Sequence, residues 1–235
     1  MALTSYETLT AALLQAPSSP IPLIATGTLD SYINIARNQV AADAECIRVQ
    51  ATLALISGTQ SYNFSAITVP GGVGVGSVIT VRSAQSAGQP INILNWERFA
   101  QYYLGNGLSG PPSLAAQQGQ GVGGTLFFNP IPNAAASVSL DAVCLPIALV
   151  NDATPEAIPA LWTDAVPFYA AWLAMQSLQR QADAEMMLRR YESLVRRGRQ
   201  LSTPSELPEN LPGGVGTQQA AAHQTLGAAP AQAGR

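Results

Sequence analysis

No lysine occurs in the 235 residues, histidine occurs once and cysteine twice. Each scarcity excludes something. The lone histidine, His223, sits in a low-complexity stretch, so Ser/His and Cys/His nucleophile pairs lack a base on the folded part. Cys46 and Cys144 cannot make a four-ligand zinc site by themselves. Both lie in strand-like runs and read as small buried hydrophobes, and sequence alone does not decide a disulfide between them. Charged residues make up only 11% of the chain, less than half the usual share of about 25%. Large surfaces must then be neutral, as in a subunit covered by partners or in a monomer with an unusually neutral surface. A net charge of -3 excludes an ordinary basic nucleic-acid binder. No apolar run approaches the ~20 residues of a membrane span. The opening MALTSYETL has neither the basic segment nor the apolar core of a secretion signal, so the expectation is a protein that is cytoplasmic when made.

What is present suits a folded body. Hydrophobic residues reach 47%, and the length supports a real core. Thr4-Ser5-Tyr6-Glu7 has the capping-box spacing, and Tyr6, Leu9, Leu13 and Leu14 share a helical face. Pro17, Pro20 and Pro22 end that helix. A second helix begins near Thr28 or Asp30, with Leu29, Tyr32, Ile33, Ala36 and Val40 as its stripe. The period then switches to two: Ile47, Val49, Ala51, Leu53 and Leu55 alternate with more polar residues. A turn at Ser57-Gly58 and a return through Tyr62-Asn63-Phe64 predict a hairpin. Residues 78–81 and 91–94 are further strands, and Asn95 caps a short helix carrying Trp96, Phe99, Tyr102 and Tyr103. The Gly-, Pro- and Gln-rich stretch 105–124 reads as a long loop of the kind that is functional or mobile. Two strands follow, at 126–128 and 138–144.

Thr154-Pro155-Glu156 predicts a helix start, with Pro159 and Pro167 forcing kinks or restarts. The helix over 168–175 is apolar all round and should be buried on every side. After a turn at 179–183, Ala184, Met187, Leu188, Tyr191, Leu194 and Val195 form a 3.6-residue stripe opposite Glu185, Arg189, Glu192, Arg196 and Arg199. From Leu201 the chain turns to Pro, Gly, Ala and Gln and reads as an extended or disordered tail. The organisation is therefore N-terminal helices over 1–45, a β-rich region over 46–146, a helical hairpin over 147–200 and a tail over 201–235. The fold class is α+β.

Candidate chemistry is sparse. Residues 119–124 match G-x-G-x-x-G, but a strand follows instead of the helix that a dinucleotide site requires. Residues 71–76 lack the ending of a phosphate loop. Asp43 with Glu45, and Asp183 with Glu185, read as solvated or capping carboxylates. Trp162, Phe168, Tyr169 and Trp172 read as core. No catalytic, metal or cofactor residue is assigned. Six arginines gather at Arg180, Arg189, Arg190, Arg196, Arg197 and Arg199. They read as a solvated helix face with i,i+4 pairs to Glu185 and Glu192, or as a docking patch for an acidic surface or DNA phosphate.

Three segments carry a resemblance. They are the opening helices with the 47–56 strand and Gln60-Ser61-Tyr62-Asn63-Phe64; Phe127-Phe128-Asn129-Pro130-Ile131-Pro132 with the 138–144 strand and Leu145-Pro146; and the 151–199 helical region. In these the chain resembles bacteriophage head-to-tail adaptor proteins of the short-tailed, tail-tubular-protein-A type. The resemblance implies a helical bundle of N-terminal helices and C-terminal hairpin, packed with a mostly antiparallel β region. It implies a virion subunit and not an enzyme, in a dodecameric ring between portal and tail nozzle that extends the DNA channel without sequence-specific binding. Assembly would take place in host cytoplasm, with no membrane partner. C-terminal extensions of such proteins reach the portal; here Arg196, Arg197, Arg199, Leu207, Leu211 and Leu226 are the expected docking residues. Another neck or tail-completion protein, or a ligand-binding domain using the Gly-rich loop, is the alternative.

Overall fold

The computed structural model describes residues 1–14, 24–70 and 74–202. Met1–Arg199 forms one compact unit; of the second, Gln200–Arg235, only 200–202 are described, as the end of a helix. The prolines at 17–22 lie outside the described residues.

Two helices open the chain, α1 (Leu3–Leu14) and α2 (Thr26–Ala44). Strands β1 (Arg48–Leu55), β2 (Ser61–Asn63), β3 (Val75–Ser86) and β4 (Gln89–Leu94) follow, then helix α3 (Trp96–Tyr102). Next come β5 (Ser109–Gly110), β6 (Leu114–Gln118), β7 (Thr125–Asn129), β8 (Ile131–Pro132) and β9 (Ala136–Pro146). Helices α4 (Ala160–Thr163), α5 (Ala165–Ser177) and α6 (Gln181–Ser202) close the described chain. The fold is mixed α+β.

Seven strands form one sheet in the order β1-β9-β3-β4-β6-β7-β2, and β5 pairs with β8. Pairing is antiparallel except for β4 with β6 and β5 with β8. The ends of this order, β1 and β2, adjoin in sequence. Thr52 and Thr68 exchange backbone hydrogen bonds of 2.9 and 2.8 Å, so the chain beyond β2 returns to β1 and the sheet curls. Register shifts in β3 leave the Val81 amide off the ladder; the Gln117 side-chain oxygen accepts from it at 3.0 Å and from the Thr80 hydroxyl at 2.9 Å. Helix α5 packs on α1 and α2, and α2 packs on β9. Leu29, Ile33, Ala36 and Val40 are buried, as the α2 stripe predicts.

Several expectations are corrected. The capping box does not form. Helix α1 starts at Leu3, and Thr4 gives its amide (2.9 Å) and its hydroxyl to the Asp152 carboxylate. Helix α1 buries Leu3, Tyr6, Thr10 and Leu14 and leaves Leu9 exposed. The 47–64 hairpin does not form either. Strand β2 pairs with β7, because Tyr62 packs edge-on against Phe128 at 5.7 Å and its hydroxyl accepts from the Ile56 amide at 2.8 Å. Residues 105–124 are not structureless: they hold β6, whose Ala115 and Ala116 are fully buried. The hairpins among the described residues are β3–β4, turning through left-handed Ala87 and Gly88, and β6–β7, turning through 119–124. Residues 154–156 start no helix. Asn151 accepts from the amides of Ala153 and Thr154 in a turn, and Glu156 is drawn into the interior. Helix α5 is not enclosed on every side, since Phe168, Tyr169, Trp172 and Leu173 are half-buried. The stripe of α6 buries Ala184, Met187, Tyr191 and Val195 as expected, and adds Gly198.

Candidate functional site

The polar interior is structural. Arg37 is 1% exposed, yet it is guanidinium and always charged. It meets Glu156 in a fork, Nε to Oε2 at 3.1 Å and Nη2 to Oε1 at 2.7 Å. Its Nη1 donates to the Ile147 carbonyl at 2.7 Å and to Asn34 Oδ1 at 3.1 Å. Asn34 in turn holds both the amide and the carbonyl of Leu149. Together these bonds fasten the 147–158 segment to α2. The Tyr6 hydroxyl lies in the same interior. Burial first, then the Glu156 charge, pushes its pKa well above the tyrosine range, although no hydrogen bond of normal geometry closes between them.

Several other carboxylates also help to hold the fold. Asp43 accepts from the Tyr191 hydroxyl at 2.6 Å, Glu45 pairs with Arg82, and Asp183 with Arg180. The neighbouring Asp30 carboxyl, with some burial, holds Glu7 above its usual range. Among the described residues no group of three or more His, Cys, Asp or Glu is placed to hold a metal ion. Both cysteines are free thiols, and burial pushes Cys46 up to about 12 and Cys144 up to about 11. The glycine run at 119–124 joins strand β6 to strand β7, so no helix N-terminus stands there to meet a phosphate. Trp162 is core, as expected. Tyr169 packs against Trp172 at 4.8 Å and Tyr191 at 4.9 Å, and Arg190 covers the Phe168 ring at 5.9 Å.

Two surfaces stand out. The first is α6. With Arg180 it carries six arginines against Asp183, Glu185 and Glu192, a surplus of three in a chain whose net charge is -3. Arg189 pairs with Glu185 at 3.4 Å, and Arg196, Arg197 and Arg199 are exposed near its end. Of the expected docking set, these three arginines occupy exposed positions within one turn of α6. Leu207, Leu211 and Leu226 lie outside the described residues.

The second surface escapes the sequence reading. No charged residue occurs over 49–81 or over 99–140, and these runs supply most of the sheet. At one end of the sheet three uncharged segments are stitched together. The Gly58 amide donates to the Pro132 carbonyl (2.8 Å), the Ile131 amide to the Leu108 carbonyl (2.7 Å), and the Gln60 side chain to the Tyr103 carbonyl (3.3 Å). Ile56 and Tyr102 there are each 62% exposed, Leu108 58% and Leu104 46%. The signal that could have found it is the pair of charge-free runs, since interface centres are depleted of charge. Compared with known proteins, the chain matches no family model and no curated sequence.

Proposed function

We propose that this chain is a structural subunit of a bacteriophage virion, a head-to-tail adaptor whose ring joins the portal to the tail nozzle. The observation that carries the reading is one folded body bearing two exposed surfaces of different chemistry: a basic helix face on α6 and an uncharged, apolar-tipped sheet end. A monomer gains nothing by leaving both open to water, whereas a ring piece needs separate surfaces for its neighbours and for the components above and below. In this reading α1, α2, α5 and α6 act as a helical bundle set on the β region. The exposed carboxylates keep passing DNA from adhering. The chain performs no catalysis and binds no cofactor. Arg196, Arg197 and Arg199 anchor the base of the 201–235 extension, whose leucines enter pockets on the portal.

Truncation after Gln200 tests this, because it removes no buried residue of Met1–Arg199. The truncated protein should melt as the full chain does and should lose pelleting with portal particles. Portal attachment undiminished by the truncation would move the contact elsewhere on the subunit. A full-length chain that ignores portal particles altogether would sink the adaptor reading.

A further inference from the structure

The uncharged sheet end has a counterpart on the same chain. Past the three residues of β2, Phe64 begins a largely apolar groove of about 200 Å³, lined also by Ile67, Val69, Val78 and Val122, with Ser65 and Ser77 as its polar members. Val122 at its mouth is 69% exposed. Groove and sheet end both belong to the charge-free runs, so neither presents a group whose desolvation would oppose contact. The 104–109 segment is exposed throughout, yet it is built. Gly105 and Gly107 adopt left-handed backbone at φ 72° and 69°, and between them Asn106 Oδ1 accepts from the Leu108 amide (3.2 Å) and the Asn129 side chain (2.9 Å). A loop held this way loses little entropy when another surface covers it.

We propose that the Leu104/Leu108 loop of one copy inserts into the Phe64/Ile67/Val122 groove of a second copy of this chain. The contact joins two different surfaces, so repetition propagates from copy to copy and closes into a ring when the rotation allows. A neutral loop and a neutral groove match in charge, whereas the basic α6 face would require an acidic partner. This inference rests on the ring reading above and names its subunit contact.

The test is complementation in the full-length protein without portal. Two variants are made, L108D on the loop and V122D on the groove, both at exposed positions where melting should not change. Wild type at rising concentration should show growing mass by light scattering, and each variant should self-associate about tenfold more weakly or worse. Mixed together, the variants should form a heterodimer and stop there, since each retains one intact half of the contact. R196E/R197E should self-associate as wild type does. Wild type that stays monomeric to its solubility limit overturns the proposal, as do variants that associate normally or a mixture that forms no dimer. Portal pelleting of wild type is read separately: its loss removes the adaptor reading whatever the self-association shows.

Discussion

Arg37 and Glu156, 119 residues apart in sequence, meet in a two-pronged ion pair in which both side chains are almost completely buried, at 1% and 6% exposure. The pair is the point where the opening helices grip the segment leading from the sheet to the closing helices. Removing one partner leaves a buried charge without compensation, which costs on the order of 3–5 kcal/mol. E156A should therefore destabilise the body by about that much in urea unfolding. Replacing both residues by apolar side chains, R37M/E156L, should cost clearly less than E156A alone. A double variant as unstable as the sum of its single variants would show that the two residues contribute independently, and would sink the paired-charge account.

Gly198 sits inside α6, where alanine would ordinarily be favoured by roughly 0.5–1 kcal/mol. Here a Cβ would stand 2.5 Å from the Trp162 ring, with other ring atoms at 2.8 Å. G198A should thus reverse the usual sign and lose about 1–3 kcal/mol. Trimming the ring with W162L in the G198A background should recover part of that loss. Thermal unfolding of the three proteins checks it, and a G198A more stable than wild type would refute the close approach.

Alkaline pH should weaken the fold. Cys46 and Cys144 are raised from an ordinary value of 9.0 to about 12 and about 11 by burial, and Tyr6 and Tyr191 are raised in the same direction from 10.0. A raised value means that the folded state holds its proton more tightly than the unfolded chain. The contribution is complete below about pH 9 and is lost as pH climbs toward the folded values. Urea midpoints measured from pH 8 to pH 11 should fall, and less steeply in C46A/C144A. In native protein both thiols should react with a disulfide reagent far more slowly than in urea.

Gln117 should matter beyond its place in an edge of the sequence that looks like loop. Its Oε1 is the acceptor for the irregular Val81 amide. Q117L leaves that amide and the Thr80 hydroxyl without it, at a cost of about 1–3 kcal/mol. Hydrogen exchange at Val81 should accelerate, while the β1–β9 ladder stays protected at low denaturant. Unchanged exchange at Val81 would mean another group had replaced Gln117.

Much of the architecture was legible because it is periodic. The alternation of Ala51, Leu53 and Leu55, the 3.6-residue stripe of α6 and the Asn95 cap, whose Oδ1 accepts from the Glu97 amide at 2.9 Å, are local patterns with one geometric solution. Scarce charge, a lone histidine and a cluster of six arginines over 180–199 were likewise plain from the sequence. Pairing was not legible. Tyr62 could return along β1 or cross to β7, and only its contact with Phe128 and its bond to Ile56 decide between them. Leu114-Ala115-Ala116 lacks the β-branched residues that mark a strand, but its neighbours β4 and β7 satisfy its backbone and α3 covers its small side chains. Thr4 and Glu156 carried good local signals for capping and helix initiation. Asp152 and Arg37, distant in sequence, outbid them, because a charge-assisted bond across the fold is stronger than a local neutral one. The sequence by itself determined where periodic helices and strands form and where charge is missing. Tertiary structure decided which strands pair, which polar groups are buried together and which apolar residues remain exposed, since those outcomes depend on partners that lie from tens to more than a hundred residues away.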